Sequence, residues 1–219
     1  MSTIAPPSRN RATDNTLIGV LELFKAKLKQ DLDDMLPARV IAYDRATNRA
    51  QVQPLIVMVN TLNQQIPRAQ IASVPVLQIG GGGFVISMPI KTGDLGWIKA
   101  NDRDITFFLK NYAQAAPNTQ RRHKFSDAVF IPDSFMKDVV INAEDEDNLV
   151  IQNLDGTVRI AIWGDKVKIT APEIVLDTPL VSCTGDVVAA GDVVANGISL
   201  HDHLHGGVMV GSSNTGVPV

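Results

Sequence analysis

The sequence predicts a mainly β protein: an N-terminal helix, an OB-like barrel, and then an extended β-element too thin to fold as one copy. Three observations predict it. Apolar residues fill 45% of the 219 positions but aromatic residues only 5%, so valine and isoleucine carry the core, and β-branched side chains suit a pleated surface. From about residue 37, short apolar runs alternate with turn signals. Beyond about residue 133, apolar residues recur with period two and a pentapeptide repeats.

The first segment, 1–36, ends in a helical pattern. Leu17, Val20, Leu21, Phe24, Leu28 and Leu32 recur at helical spacing, while Lys25, Lys27, Lys29, Asp33 and Asp34 lie mostly off that stripe. Asn15 is placed to cap its start. Pro37 is placed to end it, because proline restricts the residue before it. The stripe serves either packing on the helix's own domain or docking on a neighbouring protein.

The second segment, 37–132, reads as strands over 38–43, 50–59 (interrupted by Pro54), 71–79, 84–88, 95–100 and 105–109. Turn signals at 44–48, 80–83 and 91–94 separate several of them. Strands this short and close predict a small closed or nearly closed barrel, of the OB-like kind.

The third segment, 133–200, changes character. Val158, Ile160 and Ile162 alternate with Arg159 and Ala161, and Val167 and Ile169 flank Lys168. Gly185-Asp186-Val187-Val188-Ala189 returns as Gly191-Asp192-Val193-Val194-Ala195. These are marks of a β-solenoid, yet one copy has too little bulk to enclose a core. Three copies wound together would bury the valines and isoleucines along a common axis, at about 25 cal/mol per Å² of apolar surface. An obligatory homotrimer is therefore expected, with Cys183 a small buried hydrophobe within it.

Other functions fall away on composition and spacing. A net charge of -3 lacks the basic footprint of a nucleic-acid binder. Met1 to Asn15 has no apolar signal-peptide core, and no run reaches the roughly 18 apolar residues of a membrane span. A single cysteine suits assembly in a reducing cytoplasm. The glycines at 80–83 lack the Gly-Lys-Ser/Thr of a phosphate-binding loop and read as a turn or packing point. Arg121-Arg122-His123-Lys124 reads as a solvated or protein-contacting loop. Glu144-Asp145-Glu146-Asp147 lacks EF-hand spacing and reads as a solvated turn. No Ser/His/Asp or Cys/His arrangement can be argued, so no enzyme is expected.

The last segment, 201–219, opens His201-Asp202-His203-Leu204-His205-Gly206-Gly207-Val208, which holds three of the four histidines. Taken alone, the cluster is either a metal-binding segment or an exposed polar tail. In an extended chain, residues two apart point the same way, so His203 and His205 share a side and Leu204 faces away. Asp202 has the opposite parity and is set aside as a partner.

Two stretches resemble the central spike proteins of contractile-tailed phage baseplates. One runs from Leu36-Pro37-Ala38-Arg39-Val40 through Gly82-Gly83-Phe84 and Lys91-Thr92-Gly93-Asp94 to Arg121-Arg122-His123-Lys124-Phe125-Ser126-Asp127-Ala128. The other is His203-Leu204-His205-Gly206-Gly207-Val208 with Gly211, Asn214-Thr215-Gly216 and Pro218. The resemblance implies a collar of barrels over 37–132, an intertwined triple-stranded β-helix shaft over 133–200 and a metal-binding apex over 201–219. It implies one iron ion per trimer, held by six histidines, His203 and His205 of each chain. Imidazole also suits other first-row metals, although six identical donors disfavour tetrahedral zinc. His201 departs from the family pattern and is read as a non-ligand.

The implied function is mechanical. On tail contraction, a virion spike assembled in the host cytoplasm punctures the host outer membrane, after docking to a baseplate hub protein through 1–36. The rival readings are a trimeric receptor-binding tail fibre or adhesin and, less favoured, a His-cluster metal hydrolase. A hydrolase wants an open coordination position and a nearby general base, and a six-histidine site offers neither.

Overall fold

In the computed structural model, residues 16–60, 63–204, 207 and 211 are described. The protein is mainly β, with few helices, and divides into two compact units at Thr170/Ala171.

The first unit opens with α1, Leu17–Gln30. Thr16 caps it, its hydroxyl accepting the Gly19 N–H at 3.0 Å. The expected cap, Asn15, lies outside the described residues. Lys27 and Lys29 stand in the last turn, where cations suit the helix dipole. The helix stops well before Pro37, which lies inside the first strand. Leu17, Leu21, Phe24 and Leu28 are all exposed, so no packing among the described residues buries the stripe. The link to the barrel is stapled down: the Asp33 N–H donates to His123 O at 2.8 Å, the Phe125 N–H to Asp33 Oδ2 at 3.1 Å, and the Ala100 N–H to Asp34 O at 2.8 Å.

Strands follow in the order β1 (Met35–Asp44), β2 (Arg49–Pro54), β3 (Met58–Val59), β4 (Gln65–Ile66), β5 (Ile71–Pro75), β6 (Ile79–Gly81), β7 (Phe84–Ile86), β8 (Leu95–Asn101) and β9 (Lys124–Pro132). Five of them form one sheet in the order β5-β2-β1-β8-β9, with antiparallel neighbours. A parallel bridge between Val76 and Phe130 brings the two edges together, and the Leu77 N–H donates to Phe130 O at 2.7 Å. The sheet is thus a nearly closed, barrel-like layer. Val40, Val52, Val74, Ile98 and Phe130 fill it, and inward residues of β2 and β8 alternate with partly exposed ones. Gly96 is required by packing: a Cβ there would stand 2.3 Å from Ile131 O and 2.5 Å from Phe130 Cζ.

Small hairpins depart from the barrel. The β3–β4 hairpin replaces the expected continuation of the second strand past Pro54. The β6–β7 hairpin turns through Gly82 and Gly83, at φ +59° and +85°, which glycine adopts without a Cβ penalty. That stretch is a turn, as expected, and Phe84 beside it is 84% exposed.

Two sequence expectations in this region fail. Residues 105–109 form no strand: the Thr106 N–H turns back onto Asp104 Oδ1 at 2.9 Å, and a short helix, α2 (Phe108–Asn111), comes next. The strand that closes the barrel is instead β9, whose first residue, Lys124, belongs to the basic run expected to be a loop. Arg121 in that run is paired, its Nη2 donating to Asp104 Oδ2 and its Nε to Asp127 Oδ2, both at 2.9 Å.

The unit ends in a three-stranded antiparallel sheet, β10 (Leu149–Gln152), β11 (Arg159–Ile162) and β12 (Val167–Thr170). One face is largely polar and the less exposed of the two. Arg159 is buried and donates to Asp145 Oδ2 at 2.8 Å and to Gly156 O at 3.0 Å, while Trp163 Nε1 donates to Asp145 Oδ1 at 3.0 Å. Glu144 takes two hydrogen bonds from Lys168 Nζ at 2.8 Å. The acidic run expected to be a solvated turn therefore folds two of its carboxylates onto the sheet, and Asp145 is buried. The other face is apolar. Leu149 stands opposite Ile162 and Ile162 opposite Val167; Ile151 stands opposite Ile160 and Ile160 opposite Ile169. All six are exposed in a single copy.

Among its described residues the second unit carries one hairpin, β13 (Val194–Ala195) and β14 (Ile198–Ser199). Residues 171–193 contain no strand in the single chain, and Cys183 is exposed there in one copy.

Candidate metal-binding apex

The apex grows from the β13–β14 hairpin. Its two-residue turn is Asn196-Gly197, at φ +50° and +80°, a pairing suited to tight hairpins because both positions need the left-handed region. The ladder runs on past β14, with the Leu200 N–H donating to Val193 O at 2.8 Å.

At the open end of the hairpin, Asp192 takes over from the ladder. Its Oδ1 accepts the His201 N–H at 3.1 Å. The Ser199 hydroxyl first, and the His201 N–H next, hold its carboxyl below the ordinary aspartate range. Ser199 Oγ in turn accepts the Asp202 N–H at 2.8 Å. The chain therefore enters the histidine segment through a hydrogen-bonded turn.

Of the histidines expected as ligands, His203 is described and His205 lies outside the described residues. His203 Nδ1 sits 3.2 Å from Leu200 O. A carbonyl can only accept, so Nδ1 carries the proton and the lone pair of the neutral ring is on Nε2. Metal-bound histidines commonly make this bond, donating the second ring N–H to a carbonyl or carboxylate. His203 thus fits a ligand role through Nε2. Leu204 is 95% exposed. His201, expected to be a non-ligand, lies 2.6 Å through Nδ1 from Asp202 Oδ1; the carboxylate set aside on parity is that ring's partner. Among the described residues no group of three His, Cys, Asp or Glu side chains gathers around a point in one chain.

Asp192 and Ser199 do not stand out in the sequence as functional residues. A signal is nevertheless present: Asn196-Gly197 between Val194-Ala195 and Ile198-Ser199 is a hairpin pattern, and it pairs positions 192 and 201.

Two family models match the chain. Residues 36–133 match the Phage protein Gp138 N-terminal domain. Residues 197–219, from the hairpin's turn glycine onward, match the GpV Apex motif. No curated protein matches the chain.

Proposed function

We infer that this chain is a central spike protein of a phage baseplate, a structural component of the virion, since a Gp138 N-terminal domain and a GpV Apex motif on one chain are baseplate-spike features. No helix among the described residues is long and apolar enough to cross a membrane. The finer reading is a homotrimeric needle that punctures the host outer membrane when the tail contracts.

One observation carries that reading. The two aligned rows Leu149-Ile162-Val167 and Ile151-Ile160-Ile169 present an apolar face whose six side chains are all exposed in one copy. Fully burying such side chains stabilises by about 1.5–3 kcal/mol each, and two further copies of the same face supply the cover. Symmetric self-association is the common solution for a surface of this kind. The barrel supports the collar reading: numbered along the chain, its five strands ring in the order one, two, three, five, four, as in an OB-like barrel. The bare stripe of α1 supports docking to a hub protein.

At the tip, His203 and His205 of three copies would hold one iron ion. The bound ion would cross-link the histidine segments of the three copies. The test is native mass together with elemental analysis of the purified protein. We expect a trimer with one iron, emptied by His203→Ala or His205→Ala and retained in His201→Ala. A folded, metal-free monomer overturns the reading.

A further inference from the structure

The pentapeptide repeat contains a built-in comparison. Asp186 and Asp192 occupy the same place in Gly-Asp-Val-Val-Ala. Among the described residues no hydrogen bond engages Asp186, whereas the Asp192 carboxylate accepts the His201 N–H at 3.1 Å. Local sequence therefore does not explain what Asp192 does; the hairpin after it does. By pairing 193 with 200, the hairpin brings residue 192 beside residue 201.

We propose that Asp192 and Ser199 are positioning residues for the apex, presetting the backbone that carries His203. The geometry holds two neighbouring amides with two side chains. The Ser199 hydroxyl oxygen accepts the Asp202 N–H at 2.8 Å. Asp192 Oδ1 accepts the next N–H back, that of His201, at 3.1 Å. Two successive amides, at 201 and 202, are thus fixed by side chains from outside the histidine segment. The turn they fix is the one in which the Leu200 carbonyl meets the His203 ring at 3.2 Å. A ring aimed before the metal arrives gives up less conformational freedom on binding.

The metal half of this proposal rests on the apex reading above; the backbone half does not. The experiment uses the full-length protein and separates the two. Amide hydrogen exchange is measured first on metal-free protein. Asp192→Ala should speed exchange at His201 and Asp202 at least about tenfold, Asp186→Ala should leave both unchanged, and Asp192→Asn, which keeps an acceptor oxygen, should fall between. Iron release into a chelator is measured next. Asp192→Ala should release it about tenfold faster or more, the usual size of an outer-shell loss, with the assembly's mass unchanged. Unaltered exchange at His201 in Asp192→Ala overturns the proposal whatever the metal does. Altered exchange with unaltered release overturns the positioning of His203. An iron-free parent with altered exchange removes the apex reading and leaves the backbone role of Asp192 standing.

Discussion

Arg121 and Asp104 are joined at 2.9 Å, guanidinium Nη2 to Oδ2, across a loop of the barrel. The Asp104 carboxyl is buried, and hydrogen bonds from Thr106, then Thr119, with the Arg121 charge, lower its pKa from 3.8 to about 2. A carboxyl depressed in the folded state stabilises above its unfolded pKa and loses that contribution as pH falls through the folded value. The parent should therefore lose stability between about pH 4 and about pH 2. Asp104→Asn should be less stable at neutral pH and flatter across that window. Denaturant midpoints measured over a pH series check this; equal slopes in the two proteins would dismiss the assignment.

The apolar rows of β10–β12 should respond to one charge. Ile160→Asp places a carboxylate at the centre of the row it shares with Ile151 and Ile169. An ionised group taken out of water without a partner is strongly disfavoured. Sedimentation velocity should show the assembly falling apart, while Lys168→Ala, on the polar face, leaves its mass intact.

Close packing at Gly96 sets a further limit. Gly96→Val brings a branched side chain against Phe130 and the β9 backbone, so it should destabilise the barrel by about 1–3 kcal/mol or more. Phe130→Ala, which empties the same space, should cost about 3–5 kcal/mol. Urea unfolding followed by the fluorescence of Trp97 and Trp163 measures both.

Leu21→Asp with Phe24→Asp should leave the oligomer and the barrel intact, because α1 buries neither residue in its own chain. The same variant should fail to enter virions when it is the sole copy supplied to a phage lacking the gene. Normal incorporation would show that the stripe is not the docking surface.

How far the fold can be read from sequence depends on how regular each strand is. β2 and β8 alternate buried and half-buried residues without a break, and both are legible. β9 buries Asp127 and Ala128 side by side, which interrupts period two, and it begins at the end of a basic run, so no periodic signal marks it. At 105–109 an apolar pattern is overridden by Asp104 capping a turn. Arg159 looks like an outward residue between two apolar neighbours, because its partners Glu144 and Asp145 stand 15 and 14 positions upstream. At the apex the ligand-type side chain His203 is visible from spacing. Asp192 is not, since its role comes from the pairing of two strands and not from its own segment.

The Arg159–Asp145 contact also sets the phase of β11. Alternation alone would let this strand slip by one residue and still offer an isoleucine row, but the slip would exchange its two faces. Arg159 would then lie among isoleucines, and Asp145 would keep its burial without its countercharge. The ion pair therefore acts as an index mark, fixing which edge of the alternation faces outward before any neighbouring chain is met.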